Sequence, residues 1–168
     1  IYSDKTSIVL MIGDDENCNV EAENEIKYEL GFVQDEKQLL IAFVQKIEEL
    51  DPDVLMGWNV VNFDLRTLQD FADKAEVKLS PGRNRELISW RQSRDSEQRF
   101  YALVPGRVVL DGIELMRSAT YQFENFSLEY VSRLLLNRGK LVDDVDERGE
   151  EITRLFQEDK IALANYNL

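Results

Sequence analysis

Residues 51–65 read Asp51-Pro52-Asp53-Val54-Leu55-Met56-Gly57-Trp58-Asn59-Val60-Val61-Asn62-Phe63-Asp64-Leu65. A residue before proline is pushed out of helical backbone, so Asp51-Pro52 ends whatever helix precedes it. Asp53 to Gly57 then reads as a short core strand closed by glycine. Such a strand delivers Trp58 and Asn59 to the carboxyl edge of a sheet, where open α/β sheets place their ligands. Asn62 is predicted to cap a following helix whose inner face carries Leu65, Leu68, Phe71 and Ala72. Asp64 falls in the first turn of that helix, where an acid is favoured by the helix dipole. Spacing alone asks for nothing more than this cap and this acid.

Upstream, Leu39, Leu40, Phe43, Val44, Ile47 and Leu50 recur at three- and four-residue steps, which predicts a helix opened by Asp35. Ser7 to Ile12 reads as a buried strand stopped by Gly13-Asp14-Asp15, and Glu25 to Phe32 as a weaker one. Downstream, Glu86–Arg91 and Arg99–Val104 read as two antiparallel strands around the polar turn Gln92–Gln98. Gly106 to Asp111 is a further core strand and Ile113 to Ser118 a short helix, for which Asp111 is either the N-cap or a second acid near the site. Ser127 caps a helix carrying Leu128, Val131, Leu134 and Leu135. Lys140 to Gly149 reads as an acidic loop, and Glu150–Phe156 and Asp159–Tyr166 as helical. The sum is an α/β fold over residues 1–168, one domain with a largely parallel core sheet and an antiparallel hairpin inserted at about 85–104.

Composition narrows the chemistry. There is no histidine and a single cysteine, Cys18. Ser-His-Asp catalysis, histidine-based zinc sites and an internal disulfide are excluded, and catalysis is left to carboxylates, hydroxyls and amines. The longest apolar run, Ile8 to Ile12, is far short of a membrane span, so no membrane partner is expected. The formal charge of −13 argues against general electrostatic binding to DNA. The charge is uneven, however. Residues 1–53 hold 14 acids and 4 bases, residues 143–159 hold 8 and 2, and between them residues 80–110 hold six arginines and three acids. Arg91, Arg94 and Arg99, interleaved with Trp90, Phe100 and Tyr101, form either a solvated ribbon or a surface for a nucleic-acid strand.

The wording of residues 51–65 resembles the second exonuclease motif of family B DNA polymerases, Asn-x-x-x-Phe-Asp, here Asn59, Phe63 and Asp64 after Asp-Pro-Asp-x-x-x-Gly-Trp. Gly106-Arg-Val-Val-Leu-Asp-Gly-Ile-Glu, Phe126-Ser-Leu-Glu-Tyr-Val and Glu158-Asp-Lys-Ile-Ala-Leu-Ala-Asn-Tyr-Asn-Leu follow in that family's order. Over nearly all 168 residues the chain is similar to the proofreading domain of the bacterial DNA polymerase II group.

The resemblance implies a ribonuclease H-like fold, a mixed sheet flanked by helices, and 3′→5′ hydrolysis at single-stranded primer ends with two Mg²⁺ or Mn²⁺ ions. It implies that Asp64 is a metal ligand and catalytic acid. Asn59, Phe63, Ser127 and Leu128, with Val131, contact the DNA strand, and Tyr166 positions the attacking water. The family's third-motif Asp falls two residues past Leu168, and its first-strand Asp-x-Glu should precede Ile1. Asp14 and Glu16 mimic that first motif but sit in a polar turn and read as solvated acids. Lys160 is a phosphate contact or a solvated helix residue. The expectation is a domain trimmed at both ends, inactive alone, from a cytoplasmic DNA polymerase of replication and repair, with DNA and the remaining polymerase chain as partners. The alternatives are a stand-alone repair exonuclease of the same fold and a non-catalytic acidic module that docks a protein.

Overall fold

A computed structural model describes residues 1–4, 6–21, 27–94, 96, 99–137 and 145–166. In chain order the first half holds β1 (Ile8–Ile12), β2 (Cys18–Glu21), β3 (Lys27–Val33), α1 (Glu36–Leu50), β4 (Val54–Gly57), a π-helical turn (Val60–Leu65) and α2 (Arg66–Lys74). The second half holds β5 (Ser89–Gln92), β6 (Phe100–Leu103), β7 (Val108–Asp111), α3 (Gly112–Ser118), α4 (Leu128–Leu136), α5 (Val145–Glu158) and α6 (Lys160–Tyr166). These elements form two compact units, one of Ile1–Val33 with Glu129–Leu168, the other of Gln34–Leu128.

In the first unit the apolar run of β1 pairs parallel with β3, and β2 pairs antiparallel on the other side of β3, giving the order β1-β3-β2. Met11, Tyr28 and Leu30 bury against Leu163 and Ala164 of α6, so distant segments share one small core. Tyr28 donates its hydroxyl to Asn165 Oδ1 at 2.8 Å, which satisfies the polar tip of a buried aromatic.

The second unit is built on β4 and β7, paired in parallel. Helix α1 starts as its sequence dictates, with Asp35 accepting from the Gln38 amide at 2.7 Å. It stops at Asp51, which takes a left-handed backbone (φ 41°) while its amide donates to Ile47 O. Leu40, Leu65, Ala72, Leu79, Ile88 and Val104 form the buried cluster, with Leu55, Leu68, Trp90 and Val109 packed on it. β5 and β6 form the antiparallel hairpin, in register Trp90 to Ala102.

The mixed α/β character expected from the sequence is present, but the described strands make three separate sheets, parallel at β1–β3 and β4–β7. Three local readings are corrected. Asn62 does not cap a helix, because the chain enters a π-helical turn at Val60, with Asn59 at the capping position, and runs straight into α2. Phe71 is not on the inner face of α2; it is exposed, and the Lys74 ammonium lies over its ring. On α4, whose leucines the sequence assigned to no face, Leu134 and Leu135 are exposed while Val131 is buried. The acidic loop is helical from Val145, where Arg154 pairs with both Glu151 and Glu158 one turn either side, and residues 140–144 lie outside the described residues. Glu25, Asp95, Glu97 and Gln98 of the expected strand and turn also lie outside them.

Candidate active site

β4 and β7 end level, with Gly57 opposite Asp111, so both chains leave the sheet at the same edge. Asp111 is buried and spends both oxygens on backbone. Oδ1 accepts from the Ile113 and Glu114 amides and caps α3, while Oδ2 accepts from Val61 N at 3.0 Å. The helix cap read from the sequence is present, and the second oxygen also anchors the start of the π-helical turn.

Trp58 fixes the other side of this edge. Its indole N–H donates to Phe126 O at 2.9 Å, which ties the segment ahead of Ser127 and Leu128 to the loop after β4. Phe126 is itself held edge-on to Phe123 and lies under the Arg117 guanidinium. The ring of Trp58 reaches the start of α3 because residue 112 is glycine; a Cβ there would stand 2.7 Å from Trp58 Cε3. An indole has one donor and seeks one acceptor when half-buried, so a tether at Trp58 was foreseeable from sequence, though its partner 68 residues away was not.

Asn59 carries the bend itself. Its backbone is left-handed (φ 58°, ψ 27°), a conformation that asparagine tolerates better than most residues, and its carbonyl accepts from Phe63 N at 2.9 Å. Its side chain makes no cap hydrogen bond. The turn that follows buries Val61 and Leu65 and turns Phe63 outward, with 64% of that residue exposed. Asp64 faces solvent beside it. Packed neighbours nevertheless desolvate the Asp64 carboxyl and raise its pKa; its own backbone amide opposes the rise and the negative charge of Asp111 adds to it. Asn59, Phe63, Asp64, Ser127 and Leu128 all belong to the second unit, with Ser127 and Leu128 exposed at the start of α4. Tyr166 ends α6 in the first unit.

The remaining sequence candidates resolve clearly. Asp14, Asp15 and Glu16 are exposed, with Asp14 and Asp15 in a bend, and Asp15 pairs with Lys160 at 2.7 Å. Lys160, which also lies over the Phe32 ring, is therefore an internal partner and not a solvated helix residue. Of the six arginines in the basic island, Arg83 binds Asp51 and Asp53, Arg85 binds Glu48, and Arg99 binds Glu114. Arg107 is buried and donates to Asp51 and to the Pro81 and Pro52 carbonyls. Arg91 lies over Tyr101.

Among the described residues no three Asp, Glu, Cys or His groups are placed to share a metal ion. Asp64 offers one carboxylate, and the oxygens of Asp111 are occupied. A Mg²⁺ ion held by one carboxylate would keep nearly all its water, so these residues alone do not make a two-metal site. No helix of the described residues is long and apolar enough to cross a membrane.

The family model for DNA polymerase family B, exonuclease domain, matches residues 6–131, and the chain belongs to that family. It is 42% identical over 161 residues to DNA polymerase II of Escherichia coli K12, across 96% of this chain and 20% of that protein. It is 32% identical over 108 residues to a DNA polymerase of Thermococcus litoralis, across 64% of this chain and 6% of that protein. With the DNA polymerase delta catalytic subunit of Schizosaccharomyces pombe it shares 26% over 148 residues, 83% of this chain and 13% of that one. The chain thus spans about a fifth or less of the length of these relatives.

Proposed function

We propose that this domain is the 3′→5′ proofreading exonuclease of a DNA-directed DNA polymerase, with a ribonuclease H-like fold, acting on the single-stranded 3′ end of a primer. One observation carries the reading. The family motif folds into a single turn at the carboxyl edge of a parallel ladder, with the Phe63 ring and the Asp64 carboxylate both open to solvent. An exposed aromatic beside a carboxylate can receive a nucleotide, since every base offers a face to stack on such a ring. Asn59, with its amide uncommitted to capping, and Ser127, brought to the same loop by Trp58, are the polar contacts for the strand. Asp64 is the carboxylate that this chain contributes to a Mg²⁺ or Mn²⁺ centre, which when complete activates water and stabilises the leaving 3′ oxygen. Tyr166 is proposed for orienting a water on its match to the family's third motif in sequence alone. By itself the chain is proposed to be inactive, since among the described residues one carboxylate stands open at this edge and one does not hold the ions.

The test is made in the full-length polymerase, on a primer with a mismatched 3′ end. Asp64→Asn is expected to lower exonuclease turnover by about a thousandfold or more while nucleotide addition stays within about twofold. Asn59→Ala is expected to lose about tenfold, because it removes positioning and not charge. Equal loss of both activities in Asp64→Asn assigns that residue to folding instead.

A further inference from the structure

We infer that Asn62 is a positioning residue, which sets the presentation of Phe63 and Asp64 by tying their turn to the β5–β6 hairpin; this rests on the reading of Asp64 as the exonuclease carboxylate. Asn62 lies between the named motif positions, and the sequence offered only a helix cap for it. Its Oδ1 instead accepts the Phe100 amide of β6 at 2.7 Å.

Hairpin geometry explains why that amide is available. Ser93 N donates across the hairpin to Arg99 O at 2.7 Å, so the next amide on that strand, Phe100 N–H, points away from β5. An outward amide on a short ribbon needs an acceptor, and Asn62 supplies one. A second contact reaches the same hairpin from α2. The guanidinium of Arg66, at the first position of α2, lies 4.7 Å from the Phe100 ring centroid and 5.4 Å from that of Trp90.

The turn is thereby held at two consecutive residues just ahead of Phe63 and Asp64. Asp111 of β7 fixes Val61 and Asn62 fixes the turn to β6, while Phe63 and Asp64 project into solvent. π-Helical turns are rare, mostly single turns and frequent at functional sites, and this one is tied from outside at two consecutive residues, Val61 and Asn62. Misplacing a reacting group by about 1 Å can reduce a rate a hundredfold. A lost tie at residue 62 therefore reaches residues 63 and 64 without touching either.

The experiment uses the full-length polymerase and three variants. Asn62→Leu keeps the side-chain shape and removes the acceptor, Asn62→Asp keeps the acceptor, and Asp64→Asn tests the underlying reading. Hydrogen exchange at the Phe100 amide is measured alongside exonuclease kcat and KM, with nucleotide addition as the folding control. Asn62→Leu is expected to lose protection at Phe100 and about 10- to 100-fold in exonuclease kcat, with KM and nucleotide addition within about twofold. Asn62→Asp is expected to retain the protection and to stay within about threefold of the parent in kcat. The inference is overturned if Asn62→Leu keeps its kcat, if its loss falls on KM alone, or if Asn62→Asp keeps the protection and still loses kcat as Asn62→Leu does. If Asp64→Asn retains exonuclease activity, the functional reading fails, and the inference falls with it by a visibly different route.

Discussion

Asp64 stands in an environment that disfavours its own charge. Burial of part of the carboxyl and the nearby Asp111 raise its pKa above the ordinary 3.8, so the folded state binds that proton more tightly than the unfolded chain does. Stability from this group therefore falls as pH rises from the unfolded value through the raised folded one. With divalent ions chelated, Asp64→Asn is expected to stabilise the isolated domain at neutral pH. Because the residue faces solvent, the gain is only a few tenths of a kcal/mol, or about 1 °C in Tm. The advantage should shrink with falling pH and disappear below 3.8. Thermal melts of both proteins across that range check it; a variant less stable at pH 7 would mean that the carboxylate is a net structural partner. The identity of this residue was legible because its motif is contiguous. The work of its neighbour Asn62 was not, because the amide it accepts lies 38 residues away on a strand whose register no local pattern reveals.

At the scale of elements, the edge formed by β4 and β7 depends on how closely α3 approaches Trp58. Gly112→Ala would place a methyl 2.7 Å from the indole and force the ring or the helix to shift. Overpacking of this kind costs about 1–3 kcal/mol. The expected readout is a lower Tm with altered Trp58 fluorescence, as its hydrogen bond to Phe126 O lengthens; an unchanged spectrum and Tm would show that the ring has room. Strand and helix positions were largely readable, since apolar runs such as Ile8–Ile12 and the three- and four-residue repeat of α1 are local signals. Two elements hid for physical reasons. The π-helical turn has no periodicity of its own and borrows its ties from β6 and β7. The start of α5 is strongly charged in sequence and contains Gly149, so no apolar pattern marks it, and the ion pairs of Arg154 with Glu151 and Glu158 lie further along the helix.

For the molecule as a whole, the basic island is smaller than its sequence suggests. Arg83, Arg85, Arg99 and Arg107 are committed to Asp51, Asp53, Glu48, Glu114 and backbone carbonyls, so they hold the second unit together and do not present free charge. Against a total of −13, only Arg91 and Arg94 among the six remain as candidates for phosphate. The two groups should separate by experiment. Arg99→Ser is expected to lower Tm, while Arg91→Ser with Arg94→Ser leaves Tm unchanged and weakens single-strand binding by the full-length polymerase. The salt slope should flatten by about 1.4, at about 0.7 for each lost phosphate contact on a single strand. An unchanged slope in the double variant would make the hairpin a protein-facing or purely structural ribbon.

The division into units also has a consequence in time. Gln34–Leu128 is one uninterrupted stretch, whereas the other unit needs Ile1–Val33 and then residues that a ribosome adds only after Leu128. Domains generally fold as they emerge, so the unit bearing Asp64 can close during synthesis while β1 and β3 wait, with Met11, Tyr28 and Leu30 lacking Leu163 and Ala164 to cover them. That interval leaves Met11, Tyr28 and Leu30 without their α6 partners in the nascent chain, although their strands are made before any part of the unit that bears Asp64.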